Sequence, residues 1–237
     1  SVQVECCTAF GAGRRATAKG DVLIGQNQDQ APEMEAFGVV VRVRPDDGPP
    51  VVMATFGGLV GYPGLNGEGV AHVQNALANG AWRHALPHYP LKRVLLEQGS
   101  VEGCLGVFDR APLASCGNYV LADGRGRIVD VESTPDGYAV LEPEEGLLVH
   151  ANHFRSDRFR PQERLLESLP DSAPRTARLG AILGAQRGQI TLRTVQQALR
   201  DHQGGEAAIC RHEPGQGRLH VARGNPCRRD YVTYSVE

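Results

Sequence analysis

Cys6-Cys7-Thr8-Ala9-Phe10, then Thr17-Ala18-Lys19-Gly20-Asp21-Val22-Leu23-Ile24-Gly25-Gln26-Asn27-Gln28-Asp29, form two apolar runs joined by a turn-rich segment. A thiol stands near the start of one apolar run, and a second run ends at a carboxylate. Antiparallel pairing of the two runs brings Cys7 close to Asn27 and Asp29. A cysteine nucleophile needs a proton acceptor, an oxyanion donor and a group that orients both, and polar residues at the ends of paired strands can supply them. On spacing alone, a buried structural cysteine beside a polar turn fits these residues as well.

Working outward, Val4 to Phe10, Val22 to Gln26, Phe37 to Val43, Val51 to Phe56 and Gly69 to Asn75 are short β-branched or alternating runs and predict strands. Between them lie turn-forming segments such as Gly11-Ala12-Gly13 and Asn66-Gly67-Glu68-Gly69. Pro90 to Glu97 predicts a helix stopped at Gly99, and Ser100 can cap a second helix running to Arg110. This helical pair is expected to separate two sheet regions. Strands are expected again at Asn118 to Ala122, Arg127 to Glu132, Tyr138 to Leu141 and Leu147 to His150, with turns at Asp123-Gly124 and Asp136-Gly137. Gln162 to Leu169, Thr176 to Gly184 and Leu192 to Arg200, the last capped by Thr191, have helical apolar spacing. Ala207 to Arg211, Leu219 to Ala222 and Tyr231 to Val236 close the chain as strands. This order predicts an α+β fold of sheets packed under segregated helices, not a parallel βαβ sheet.

The 237 residues, 41% hydrophobic and 22% charged, are enough for a substantial core and are read as one domain over 1–237. A formal net charge of -2 gives no electrostatic case for nucleic acid or an anionic membrane. No apolar run reaches the roughly 18 residues of a spanning helix, and Ser1-Val2-Gln3-Val4-Glu5 lacks a signal-peptide pattern. The six cysteines, Cys6, Cys7, Cys104, Cys116, Cys210 and Cys227, have neither disulfide-framework nor CxxC spacing, which argues for a cytoplasmic setting and against zinc. His150-Ala151-Asn152-His153 is the one close histidine pair, without a third ligand at motif spacing. No cofactor and no metal are expected, and the expected partner is a small molecule.

Cys7-Thr8-Ala9-Phe10 followed by Gly25-Gln26-Asn27-Gln28-Asp29 resembles the start of the catalytic subunit of isopenicillin N acyltransferase and its bacterial relatives, which are N-terminal-nucleophile hydrolases. The resemblance continues through Gly57-Gly58-Leu59-Val60-Gly61, Gly64 to Ala71, Asn75-Ala76-Leu77, Gly117-Asn118-Tyr119, His150 to Phe154, Ile209 to His212 and Gly224-Asn225-Pro226-Cys227. It implies a four-layer αββα sandwich of two antiparallel sheets. It also implies a nucleophile, Cys7, that becomes the first residue by autoproteolysis, so that its freed α-amino group serves as base. An α-amine with a reference pKa of about 7.7 to 8.0 is partly neutral near physiological pH and needs no histidine partner. By position, Asp29 orients the amine or touches substrate, Asn75 offers its amide to the tetrahedral oxyanion, Asn152 is a second polar group, and Arg211 stands near the site. An oxyanion donor of this kind contributes roughly 3 to 4 kcal/mol to transition-state stabilisation.

The bland alternatives stay open beside these roles: Asn75 and Asn152 as turn residues, Arg211 as a surface arginine, and His150, His153 and His212 as ordinary buried or surface groups. Relatives generally carry glycine before the nucleophile, whereas here Cys6 precedes Cys7, which keeps Cys6, and more remotely Ser1, as alternatives. Arg211 to Leu219 is short where relatives carry a further strand, which puts the pairing of the last sheet in question. The expected activity is hydrolysis of a small N-acyl amide through an acyl-thioester on Cys7. The alternatives are transfer of that acyl group to an amine, or a maturation-defective binding domain. The expected partners are the amide or acyl donor, the chain's own cleaved N-terminal segment and further copies of the chain, with neither nucleic acid nor membrane.

Overall fold

The computed structural model describes residues 6–201 and 208–237, with the backbone alone at 208–212. Two antiparallel sheets face each other. In chain order the strands of the first half are β1 Cys6–Ala12, β2 Leu23–Asp29, β3 Gly38–Val43, β4 Val51–Phe56, β5 Gly64–Asn66 and β6 Val70–Ala76. Helices α1 His88–Leu95 and α2 Val101–Arg110 follow, then β7 Gly117–Asp123, β8 Ile128–Thr134, β9 Gly137–Leu141 and β10 Leu147–His150. The chain ends with α3 Ser172–Gly184, α4 Leu192–Ala198, β11 Ala208–Glu213, β12 Arg218–Ala222 and β13 Val232–Ser235. One sheet runs β10-β1-β2-β11-β12-β13 and the other β3-β4-β5-β6-β7-β8-β9.

Alternation along each strand builds the layers. On β1, Ala9 packs between the sheets with Val73, Val120 and Leu148. Phe10 and Ala12 turn the opposite way, onto Leu179 and Leu183 of α3 and Val195 of α4. On the far side, Leu91, Leu95, Val101 and Val107 of α1 and α2 cover Val70, Tyr119 and Val131. The result is the expected α+β fold, a four-layer αββα sandwich. Ser100 caps α2 by accepting from the Gly103 amide, and Thr191 forms a reciprocal capping box with Thr194.

Several expectations are corrected. The helical pair does not divide the two sheets, because β6 and β7 on either side of it pair directly over Val70–Ala76 and Gly117–Asp123. One sheet instead takes the continuous run β3 to β9, and the other joins β1 and β2 to β10–β13. No helix forms over 162–169, where Arg164 donates its backbone N–H to Ala78 and Leu165 donates its own to the Glu163 carboxylate. Helix α3 starts earlier than Thr176, with Pro174 in its first turn, where a missing N–H costs nothing. The short strand β5 and the 3-10 turn at Pro32–Phe37 were not anticipated. The brevity of Arg211 to Leu219 does not break the sheet: β11 and β12 pair through a tight turn at Pro214–Gln216, closed by Gly217 at φ 60°. Val4, Glu5 and Ala207 of the expected strands lie outside the described residues.

Candidate active site

The β1–β2 register sets Cys7 opposite Gln28 and Cys6 opposite Asp29. Directly opposed residues share a face, so Cys7 and Gln28 look between the sheets, while Cys6 and Asp29 share the face covered by α3. Asp29 is therefore one residue along and on the other face from the Cys7 side chain. The Cys6 thiol is pushed up by burial, opposed by the Arg175 charge and reinforced by Asp171 and Asp29.

Cys7 is 1% exposed, and its backbone is held at both ends. Its N–H donates to Asn152 Oδ1 at 2.8 Å. Its carbonyl accepts from Arg175 Nη1, which also donates to Thr8 Oγ1 at 2.7 Å. Arg175 Nη2 reaches Asn152 Oδ1 at 3.0 Å, and its Nε pairs with Asp171 at 2.8 Å. Asn152 is itself fixed: its N–H donates to Ser172 Oγ at 2.8 Å and its Nδ2 to the Ala76 carbonyl at 3.1 Å. The Asn152 oxygen thus joins the N-terminal strand, the segment after β10 and helix α3 at one point.

Asn75 lies on β6 with the parity of Ala71 and Val73, facing the space between the sheets. Its Nδ2 donates to Asn118 Oδ1 at 2.6 Å, while its own Oδ1 is buried without a hydrogen-bond partner among the described residues. Asn118 Nδ2 donates to Asp130 Oδ1. Beyond it, His150 Nε2 is 2.8 Å from Glu132 and 3.9 Å from Asp130, all three fully buried. Burial disfavours charge on His150, but Asp130 and Glu132 outweigh it and raise its pKa. Glu132 is held low despite its burial by His150 and by the N–H groups of Ser156 and Arg155, whereas burial leaves Asp130 raised. His153 bonds Ser172 Oγ at 2.8 Å, and burial together with the His150 charge pushes its pKa down to about 4. It is a weak base at neutral pH.

A cleft of about 750 Å3 opens between β3–β4 of one sheet and β12–β13 of the other. Its lining includes the buried Gln28, the cross-strand neighbour of Cys7; Gln28 Nε2 donates to the hydroxyl of Tyr62, which also lines the cleft. Tyr62 stacks on Tyr89 with centroids 6.1 Å apart, and Lys92 Nζ lies 4.6 Å from both rings. Val40, Ala54, Phe56, Val221, Val232 and Tyr234 make the walls largely apolar. Size and lining suit a small organic molecule.

Of the residues singled out from sequence, Cys7 and Asn152 are in direct contact, Asn75 faces the same layer between the sheets, and Asp29 lies on the helix-facing side. Arg211 falls on β11 opposite Gly25 and His220, and its side chain, like that of His212, lies outside the described residues. Arg175, which the sequence reading missed, holds the Cys7 carbonyl, Thr8 and Asn152 at once. The signal was slight: one basic residue at the start of α3, 168 positions from Cys7. Among the described residues no group of histidine, cysteine or acidic side chains could hold a metal ion.

Three solved structures share the fold over most of their length. They are a mutant of conjugated bile acid hydrolase from Clostridium perfringens (TM-score 0.65, 14% identity, 96% of each chain covered), the Caenorhabditis elegans orthologue of N-acylethanolamine-hydrolyzing acid amidase (0.63, 15%, 88% of this chain and 93% of that one), and penicillin V acylase from Agrobacterium tumefaciens (0.64, 11%, 92% and 83%). At these identities the likeness concerns the fold. No curated protein matches the chain by sequence. The family model described as acyl-coenzyme A:6-aminopenicillanic acid acyl-transferase matches residues 16–222, and with that span of the 237 residues the chain belongs to this family.

Proposed function

We propose that the protein is a cysteine N-terminal-nucleophile amidohydrolase, one domain over residues 1–237, that cleaves a small N-acyl amide through an acyl-thioester on Cys7. The observation that carries this reading is the clamp on Cys7, whose backbone nitrogen is held 2.8 Å from Asn152 Oδ1 while Arg175 holds its carbonyl. Cleavage of the Cys6–Cys7 bond turns that nitrogen into an α-amine already oriented by an acceptor. The amine takes the thiol proton, the thiolate attacks the amide carbon, and the Asn75 amide donates to the oxyanion. The amine then returns the proton to the leaving nitrogen, and water hydrolyses the thioester by the same route in reverse. Asp29 serves the same N-terminus from the helix-facing side, and Arg211 belongs to the site by its position in the family pattern.

The apolar cleft lined in part by Gln28 receives the acyl group or the amine portion of the substrate. The structural neighbours act on amides of this general kind, which supports a small-molecule partner. Acyl transfer to an amine is the second reading, favoured by the family's own description; it shares every step up to the thioester and differs only in the acceptor. A cytoplasmic setting, autoproteolysis and retention of the cleaved segment belong to the same proposal. None of the helices among the described residues is long and apolar enough to cross a membrane.

Alkylation of the active protein with a small iodoacetamide, followed by peptide mapping, tests the assignment. Activity should fall in proportion to modification of Cys7. Loss that tracks Cys6, Cys104 or Cys210 while Cys7 stays unmodified overturns it.

A further inference from the structure

The site leaves one buried polar system without a task. Asn118 is fully buried on β7, directly opposite Asn75 on β6 and Glu132 on β8. Its two amide atoms are committed in a fixed sense, because Nδ2 faces the oxygen of Asp130 and so Oδ1 must face Asn75. An oxygen there accepts only a donor, so Asn75 must present Nδ2 and not Oδ1. One N–H of Asn75 is thereby used, and the second, on the same nitrogen, is left for another acceptor. Asp130 in turn sits 3.9 Å from His150 Nε2, the same nitrogen that Glu132 holds at 2.8 Å.

We propose that Asn118, oriented by Asp130, is a positioning residue that sets the rotamer sense of the Asn75 carboxamide so that an N–H, and not the carbonyl oxygen, is available to the oxyanion. This rests on the oxyanion role proposed for Asn75. Without Asn118 the carboxamide can turn over and place its oxygen where negative charge develops, which opposes the transition state without hindering substrate binding.

The test is a double-mutant cycle on the full chain using octanoyl-4-nitroanilide as probe. It is combined with NMR of protein labelled with 15N-asparagine, in which the Asn75 side-chain resonances are identified by their loss in Asn75→Ala. Asn118→Leu, which keeps the volume and removes the acceptor, should lower kcat by about tenfold with KM unchanged within about twofold. In the Asn75→Ala background the same substitution should add nothing further. The NMR arm, independent of turnover, should show one Asn75 amide proton protected from exchange in the wild type and unprotected in Asn118→Leu. If Asn118→Leu does not fold, Asn118→Ala replaces it. Additive losses in kcat, or unchanged Asn75 resonances in the Asn118 variant, overturn the proposal. Full kcat in Asn75→Ala alone would instead sink the oxyanion role of Asn75, while the exchange measurement still decides whether Asn118 orients it.

Discussion

Arg175 is the residue on which the Cys7 region turns. It is 8% exposed, and a buried guanidinium needs its donors satisfied; Asp171, the Cys7 carbonyl, Thr8 and Asn152 together do so. Lysine cannot reproduce this fork, since it offers one point of charge. Arg175→Lys should therefore lower kcat about 10-fold to 100-fold while the protein still folds, and Arg175→Ala, which leaves the Asn152 oxygen and the Cys7 carbonyl underbonded, should also lower Tm. Steady-state kinetics with calorimetry on both variants checks this, and near-normal kcat in either removes Arg175 from the site. At this scale the sequence was only partly legible. Cys7 and Asp29 could be brought together because they lie on one hairpin, and Asn75 and Asn152 entered through family resemblance. Arg175 could not be distinguished from any solvated helix arginine until α3 was docked on β1.

At the scale of elements, the approach of α1 to the sheet depends on glycine. A Cβ on Gly61 would lie 2.3 Å from the Tyr89 carbonyl oxygen and 2.6 Å from the Arg93 nitrogen, both backbone atoms of α1 that cannot yield without moving the helix. Gly61→Ala should cost about 1 to 3 kcal/mol, which at about 2 to 4 °C per kcal/mol for a chain of this size is a measurable fall in Tm. Because Gly61 precedes Tyr62, which lines the cleft, KM should rise as well; an unchanged Tm would show that α1 does not pack here as described. Apart from β5 and the last three residues of β2, the strands were legible in the sequence to within a residue or two, because alternation survives wherever one face meets a helix and the other the opposite sheet. The segment 162–169 was misread because Leu165, Leu166 and Leu169 mimic a helical stripe, while the backbone N–H groups of Arg164 and Leu165 are taken by the Ala78 carbonyl and the Glu163 carboxylate. The partition of strands between sheets was also out of reach. It is set by long-range pairing, such as β2 with β11, which no local pattern encodes.

For the whole molecule, the buried histidines predict how stability responds to acid. Burial, with help from Lys92, pushes His72 down to about 3 and His88 to about 4, and His153 is also near 4. Unfolded, each titrates near 6.5, so between that value and the folded one the unfolded chain binds more protons than the native chain and stability falls as pH falls. His150 has the opposite sign, since its raised pKa gives a contribution that is complete below 6.5 and lost as pH rises through its folded value. Urea midpoints should therefore decline from pH 6.5 towards 4, and His72→Gln should flatten that decline; a midpoint insensitive to pH in this window contradicts the assignment. The central claim, that Cys7 works as a free N-terminal residue, is tested most directly by intact mass and N-terminal sequencing of the species that carries the activity, separated from any unprocessed chain. Turnover should reside in molecules beginning at Cys7, and Cys7→Ala protein should retain Ser1 to Cys6 without activity. Full turnover by homogeneous protein still carrying Ser1 to Cys6 would contradict it.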